Sequence, residues 1–138
     1  MPVTSKFYPN AVNAMFNGEL NASDTFKMAL VKSTYTYSDA HTAYSDISSH
    51  EVSGSAPGYT AGGYTYAGIT SALSSTKTTF SIPLALWVAA TFDFRYAVIY
   101  SSTNNKLMMF IDLGEAQSLI AKNYQISGPS PAPSATIS

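Results

Sequence analysis

Two runs of alternating apolar residues, separated by five polar ones, constrain this chain more than any other feature. From Thr91 to Tyr100, Phe92, Phe94, Tyr96, Val98 and Tyr100 recur at every second position. That period puts all five on one face of a strand and leaves Asp93 and Arg95 on the other. Lys106 to Leu113 repeats the pattern, with Leu107, Met109, Ile111 and Leu113 on one side and Met108, Phe110 and Asp112 on the other. Ser101 to Asn105 reads as the turn between them, because its asparagines tolerate left-handed backbone. The stretch from Thr91 to Gly114 therefore predicts the central β-hairpin of a mostly antiparallel β domain.

The rest of the chain can be hung on this hairpin. Residues 1–9 read as an extended N-terminal arm feeding a short helix from about Ala11 to Asn17, with Asn10 as N-cap, Val12, Met15 and Phe16 on one stripe and Gly18 as the stop. Thr25 to Val31 alternates as a strand. Ser33 to Ser49 is weakly patterned: Asp39 to Ile47 fits either a helical turn burying Ala40, Tyr44 and Ile47 or a structured loop. In the glycine-rich stretch Glu51 to Gly68, Pro57-Gly58 predicts a turn and Gly62-Gly63 a bend or bulge. Lys77 to Ile82 is a short strand, Pro83 marks a strand start or edge, Gly114 to Ser118 is a turn, and Leu119 to Ile126 is a last strand. The β domain thus spans residues 10–126. Residues 127–138, with Pro129, Pro131 and Pro133, predict an extended or polyproline C-terminal tail that joins no ladder. That tail reads either as an arm over a neighbouring subunit or as a frayed end.

With 138 residues the chain fits one domain. Charged residues make up only 11% and tyrosine occurs 10 times, against roughly 25% charge in an ordinary soluble domain. A hydroxyl-rich and aromatic surface suits protein contact, although half-buried strands also favour Tyr and Thr. The net charge of −1 and scattered cations argue against a nucleic-acid partner. No cysteine is present, so neither disulfides nor thiol chemistry contribute. The opening residues lack the apolar core of a signal peptide, and the apolar run Ile82 to Ala90, broken by Pro83, is too short to span a bilayer. Synthesis in a cytoplasm, without a membrane partner, is the expectation.

Asp93 and Asp112 lie in partner strands and suggest a carboxylate pair, but Arg95 stands two residues from Asp93 and predicts a strand-face ion pair instead. His41, Asp46, His50 and Glu51 have metal-ligand types without metal-ligand spacing. The glycines of Glu51 to Gly68 lack the Gly-Lys-Ser/Thr ending of a phosphate loop, and no serine sits in a Gly-x-Ser-x-Gly elbow. The expectation is a non-enzyme with no catalytic, cofactor-binding or metal residue. Phe7, Tyr8, Tyr59, Tyr64, Tyr66 and Ile137 are the candidate interface residues.

Several segments in one order resemble a family of small virion structural proteins from tailed bacteriophages. They are Lys6-Phe7-Tyr8, Phe16-Asn17-Gly18, Asp24 to Leu30 running into Tyr35-Thr36, Glu51-Val52-Ser53-Gly54, Gly58 to Gly63, Trp87, Arg95 to Tyr100 and Ile111 to Gly114. The Pro/Ser-rich end departs from the family, in which a further glycine turn and an apolar strand are expected. The resemblance implies a virion component and carries over no catalytic motif. Combined with the composition, it suggests a capsid decoration (cement) protein that binds the major capsid protein on the virion surface, as a homo-oligomer and by analogy a trimer. The alternative is a tail, baseplate or fibre component that binds host glycan. Many short strands separated by turns predict an antiparallel β-sandwich or jelly-roll-like domain with one short N-terminal helix.

Overall fold

The hairpin exists and outruns its sequence pattern. In the computed structural model, which describes residues 4–21, 24–66, 70–74, 77–130 and 134–137, it is built from β5 (Lys77–Ser101) and β6 (Lys106–Ser130), each 25 residues long. Its turn closes on Asn105 at φ 57°, where a short polar side chain tolerates the left-handed conformation. The preceding strands are β1 (Thr4–Phe7), β2 (Phe26–Val31), β3 (Tyr64–Tyr66) and β4 (Thr70–Ser74). At the turn end of the hairpin the order is β1-β6-β5-β2-β3; β4 pairs with the far end of β5, and β7 (Ser134–Ile137) with that of β6. Every described pairing is antiparallel.

The mainly β architecture with one short helix matches the sequence, but its layering differs. A sandwich or jelly roll would split the strands between stacked sheets, whereas here they join a single sheet. Chain connectivity shows that this sheet curls. Tyr66 and Thr70 are four residues apart, so their Cα atoms lie within about 14 Å. Through the ladders they mark Ser101 and Ser81 of β5, which a straight strand would separate by roughly 66 Å. The bend comes from ladder interruptions at Ile82/Ala85, Trp87/Ala90, Ala90/Phe92, Phe94/Tyr96 and Ile99/Tyr100. Ala89 (φ 50°) and Ala121 (φ 51°) take left-handed backbone there, and side chains hold the distorted ladder. The Ala89 N–H donates to Asn123 Oδ1 and the Ala121 N–H to Thr91 Oγ1, both at 3.0 Å. Bulges increase twist and bend a strand.

Those bulges also correct the expected phasing. Phe92 and Phe94 lie in one core with Ala97 and Ile99, while Val98 and Tyr100, with half-buried Tyr96 against them, belong to another. The face changes because two steps along β5, from Tyr96↔Asp112 to Phe94↔Gln117, oppose five along β6. Gly114 at φ 89° turns the surplus outward, so the expected turn at Gly114 to Ser118 is a bulge inside one continuous strand. Met108 is likewise an extra residue, and Leu107 falls on the opposite side from Met109 and Ile111. Arg95, expected to pair with Asp93, reaches Asp112 instead (3.3 Å) and bonds the Gly114 carbonyl.

The first core fills the inside of the curl with Phe26, Met28, Leu30, Trp87, Phe94, Ile111 and Tyr124 among others. The second lies on the opposite face, beneath the loop between β2 and β3, and is an aromatic layer in which Tyr8, Tyr35 and Phe110 are buried and Tyr37 and Tyr96 pack against them. In that loop two short 3-10 turns, Tyr44–Asp46 and Ser48–His50, flank fully buried Ile47; Ala40 stays exposed.

Both ends depart from expectation. Thr4–Phe7 is extended but pairs with Met109 to Asp112 of β6, and Tyr8 is fully buried, so this part of the arm belongs to the domain. Residues 1–3 lie outside the described residues. The tail joins a ladder after all, Ser134 to Ile137 pairing with Ser127 to Tyr124. Pro129 sits beyond the last of those pairs, where among the described residues β6 pairs with β5 alone, the kind of edge position at which a missing N–H can be accommodated. Residues 131–133 and 138 lie outside the described residues.

Helix α1 (Pro9–Phe16) begins two residues early, because Pro9 provides a preset first turn and Tyr8 serves as the N-cap position in place of Asn10. Its inner face is Ala11 and Ala14, small enough to lie close to β6. Of the expected stripe only Met15 packs inward; Val12 and Phe16 face out.

Candidate interaction site

The most connected polar residue is Glu51. One of its carboxylate oxygens accepts from the Tyr44 hydroxyl; the other accepts from the Tyr59 hydroxyl and, at 2.8 Å, from the Gly62 N–H. Tyr59 in turn accepts the Leu30 N–H (3.1 Å), and Tyr100 donates to the Gly62 carbonyl (2.7 Å). Burial first, then the Glu51 charge, pushes the Tyr59 hydroxyl well above the usual tyrosine range; burial and the Glu51 hydrogen bond do the same for Tyr44. Three donors thus converge on this one carboxylate. Its consequence is mechanical: it ties the 57–63 glycine loop to β2 and to the 3-10 turns.

That tether positions a cleft where the curled sheet meets itself. Gly58 rests against Val88 and Ala90 of β5 so closely that a Cβ would lie 2.7 Å from the Ala90 Cα, and the Thr91 N–H donates to the Pro57 carbonyl (3.0 Å). Beside this contact the glycine loop and β3 face Leu86, Trp87 and Val88 across an open cleft of about 580 Å³. Tyr59 and Tyr64 form its other wall, and Tyr64 packs edge-on to Trp87 at 6.1 Å. Among the described residues, none that lines it is charged. Leu84, Leu86 and Val88 alternate outward along β5 at 48%, 38% and 56% exposure, and Ile120 on β6 reaches 74%. Sheet position explains the pattern: the intervening Ala85 and Trp87 point into the core.

Of the candidate interface residues, Tyr8, Tyr59 and Tyr66 are buried core, so their rings are closed to a partner. Phe7 and Tyr64 are half-buried. Ile137 is placed by its backbone only, opposite Tyr124; its side chain lies outside the described residues. Asp93 and Asp112 are not brought together, since Asp93 stands opposite Ser118 and Asp112 holds Arg95. His41 hydrogen-bonds the Tyr35 hydroxyl (2.7 Å), which meets Tyr8 (2.8 Å); His50 bonds Thr34 (3.0 Å). Asp46 takes the Thr42 and Ala43 N–H groups, which hold its carboxyl below the usual range. These four residues therefore serve separate local bonds. Sequence reasoning missed the outward stripe because it placed Leu84 to Ala90 beside a proline without a phase, and it missed Phe16 by assigning it inward.

No protein-family model matches the chain, and comparison with curated proteins and with solved structures finds no significant match to either.

Proposed function

We propose that this chain is a structural component of a tailed-bacteriophage virion, a capsid decoration protein that binds the major capsid protein across seams between its subunits and works by contact. The observation that supports contact is the outward stripe of Leu84, Leu86 and Val88 on β5, together with exposed Ile120 on β6, apolar area left uncovered in a chain poor in charge. Contiguous exposed apolar area marks interaction sites more often than scattered single residues do. The virion assignment itself is supported by the sequence resemblance. A tail, baseplate or fibre component binding host glycan would use open aromatic faces in a groove, yet Trp87 and Tyr59 are only 4% and 5% exposed, so decoration is the preferred reading.

The test is co-sedimentation of purified chain with capsids that lack it. Leu84→Asp combined with Ile120→Asp should fold, since both side chains face outward, and should weaken capsid binding by about tenfold or more, because each replaces roughly 1.5–3 kcal/mol of potential burial with a charge. Undiminished binding by the double variant would refute the stripe as the contact; failure of the unmodified chain to co-sediment would refute decoration.

A further inference from the structure

We propose that the outer half of the hairpin is a two-state element, which turns over about its own axis when a pair of facing bulges at Ala89 and Ala121 is annealed.

From Trp87↔Tyr124 to Ala90↔Lys122, three steps along β5 oppose two along β6; from Ala90↔Lys122 to Phe92↔Leu119, two oppose three. The two surplus residues cancel, so the pairing beyond the bulges keeps the register it has before them. Both surpluses fall where an alanine takes left-handed backbone, Ala89 at φ 50° and Ala121 at φ 51°, a conformation that crowds Cβ and that glycine adopts more readily. One side chain holds each of them: Asn123 Oδ1 accepts the Ala89 N–H, and Thr91 Oγ1 accepts that of Ala121. Strained backbone of this kind persists only where its surroundings enforce it, and it clusters in switch regions.

A one-residue shift moves every side chain beyond it to the other face. The inward residues of β5 are Phe94, Phe92 and Ala90 on the turn side of the bulge but Trp87 and Ala85 beyond it; on β6 they are Leu119, then Tyr124 and Ile126. Four residues on each strand lie between Phe92↔Leu119 and Trp87↔Tyr124. With both alanines extended, the ladder would therefore run through without interruption, and Val88, Leu86 and Leu84 would follow Ala90 inward. The pairs Trp87↔Tyr124, Leu86↔Gln125 and Ala85↔Ile126 survive the change, and β4 and β7, which pair farther out, turn with them. The sequence of β5 suits both states. A half-buried strand ordinarily alternates apolar with polar residues, whereas Leu84 to Val88 is apolar on both faces. The observed state is the resting one, because the other turns Asn123 and Gln125 inward and uncovers Trp87 and Tyr124. Annealing withdraws Leu84, Leu86 and Val88 from the surface and so exchanges the face offered to a partner. That consequence rests on the contact role proposed above; the two states themselves do not.

The chain has no cysteine, so a single introduced thiol reports on one position. Ala85→Cys and Leu86→Cys probe the two faces, and Ala97→Cys, in the turn-side half, reports global unfolding; Ala85 and Ala97 are fully buried and Leu86 is 38% exposed. Each chain is treated with a maleimide, and far-UV circular dichroism checks that it folds. The thiol at position 85 should react at least about tenfold faster than that at 97, because turning over requires no global unfolding. Adding Ala89→Gly and Ala121→Gly, which relieves the bulges, should slow position 85 about tenfold. Adding Ala89→Val, Ala121→Val and Asn123→Val instead should reverse the faces: β-branched residues resist left-handed backbone, and Asn123→Val removes both a clamp and a polar group from the annealed core. Position 85 then reacts freely, position 86 becomes protected, and Trp87 fluorescence shifts to the red with the β-sheet signal retained.

Equal rates at 85 and 97, or no slowing by the glycine pair, would overturn the proposal, and these two comparisons decide it alone where the valine variant does not fold. A folded valine variant in which both positions react freely, the mark of a frayed end, or in which 86 still reacts ahead of 85, would also overturn it. These measurements contain no capsid, so the switch and the contact role can fail separately.

Discussion

Raising the pH should unfold this protein abruptly, and tyrosine burial sets where. Tyr8, Tyr35, Tyr59, Tyr66, Tyr100 and Tyr124 are each 5% exposed or less, and burial is the largest cause holding every one of them above the ordinary value near 10. Each folded-state pKa is raised relative to the unfolded chain, so the linked stability is fully present below pH ~10 and is lost as the pH rises toward the folded-state values. One blocked ionisation costs about 1.4 kcal/mol per pH unit above ~10. Six acting together remove roughly 8 kcal/mol by pH ~11, comparable to the whole 5–15 kcal/mol stability of a domain. Tyrosinate absorbance and far-UV circular dichroism, recorded on the same samples, should therefore change together in one steep transition between about pH 10.5 and 12. Smooth ionisation of these six near pH 10 with the β-sheet signal intact would refute the burial on which the two cores are built.

Four substitutions probe the parts separately, each read by denaturant unfolding. Glu51→Gln replaces an acceptor oxygen by an amide donor facing tyrosine hydroxyls, and should cost about 1–3 kcal/mol; an unchanged midpoint would mean the tether is unnecessary. Gly63→Ala should be far more damaging, more than ~3 kcal/mol, because the residue sits at φ 95° and a Cβ would collide with the Met28 carbonyl. Phe94→Ala should cost about 3–5 kcal/mol and Tyr96→Ala distinctly less, since Phe94 is 1% exposed and Tyr96 half-buried. Equal losses would restore the simple alternation that the bulge interrupts.

What could be read in advance follows the range of the interactions. The hairpin, its Asn105 turn, β2 and the positive-φ bends at Gly58, Gly62 and Gly63 depend on local backbone and period, and the residues announce them. The switch of face between Phe94 and Tyr96 depends on surplus residues in the opposite strand around Gly114, which no count along β5 reveals. The same limit misplaced Tyr8, Tyr59 and Tyr66: an aromatic at the end of a terminal arm, or beside a glycine turn, looks like surface until β6 or β2 is laid beside it. The tether at Glu51 needed partners 7, 8 and 11 residues away, a spacing that matches no regular element. Val12 and Phe16 were assigned inward because a stripe of large residues resembles a buried face, whereas the close approach to β6 selects Ala11 and Ala14.

The role as a particle component stands or falls on where the chain is found. Virions purified from the lysate in which it is produced, analysed by quantitative mass spectrometry and cryo-electron microscopy, should contain it in many copies, with density in which Leu84, Leu86, Val88 and Ile120 face a capsid subunit. Virions free of the chain, with all of it left in the soluble fraction, would contradict the account.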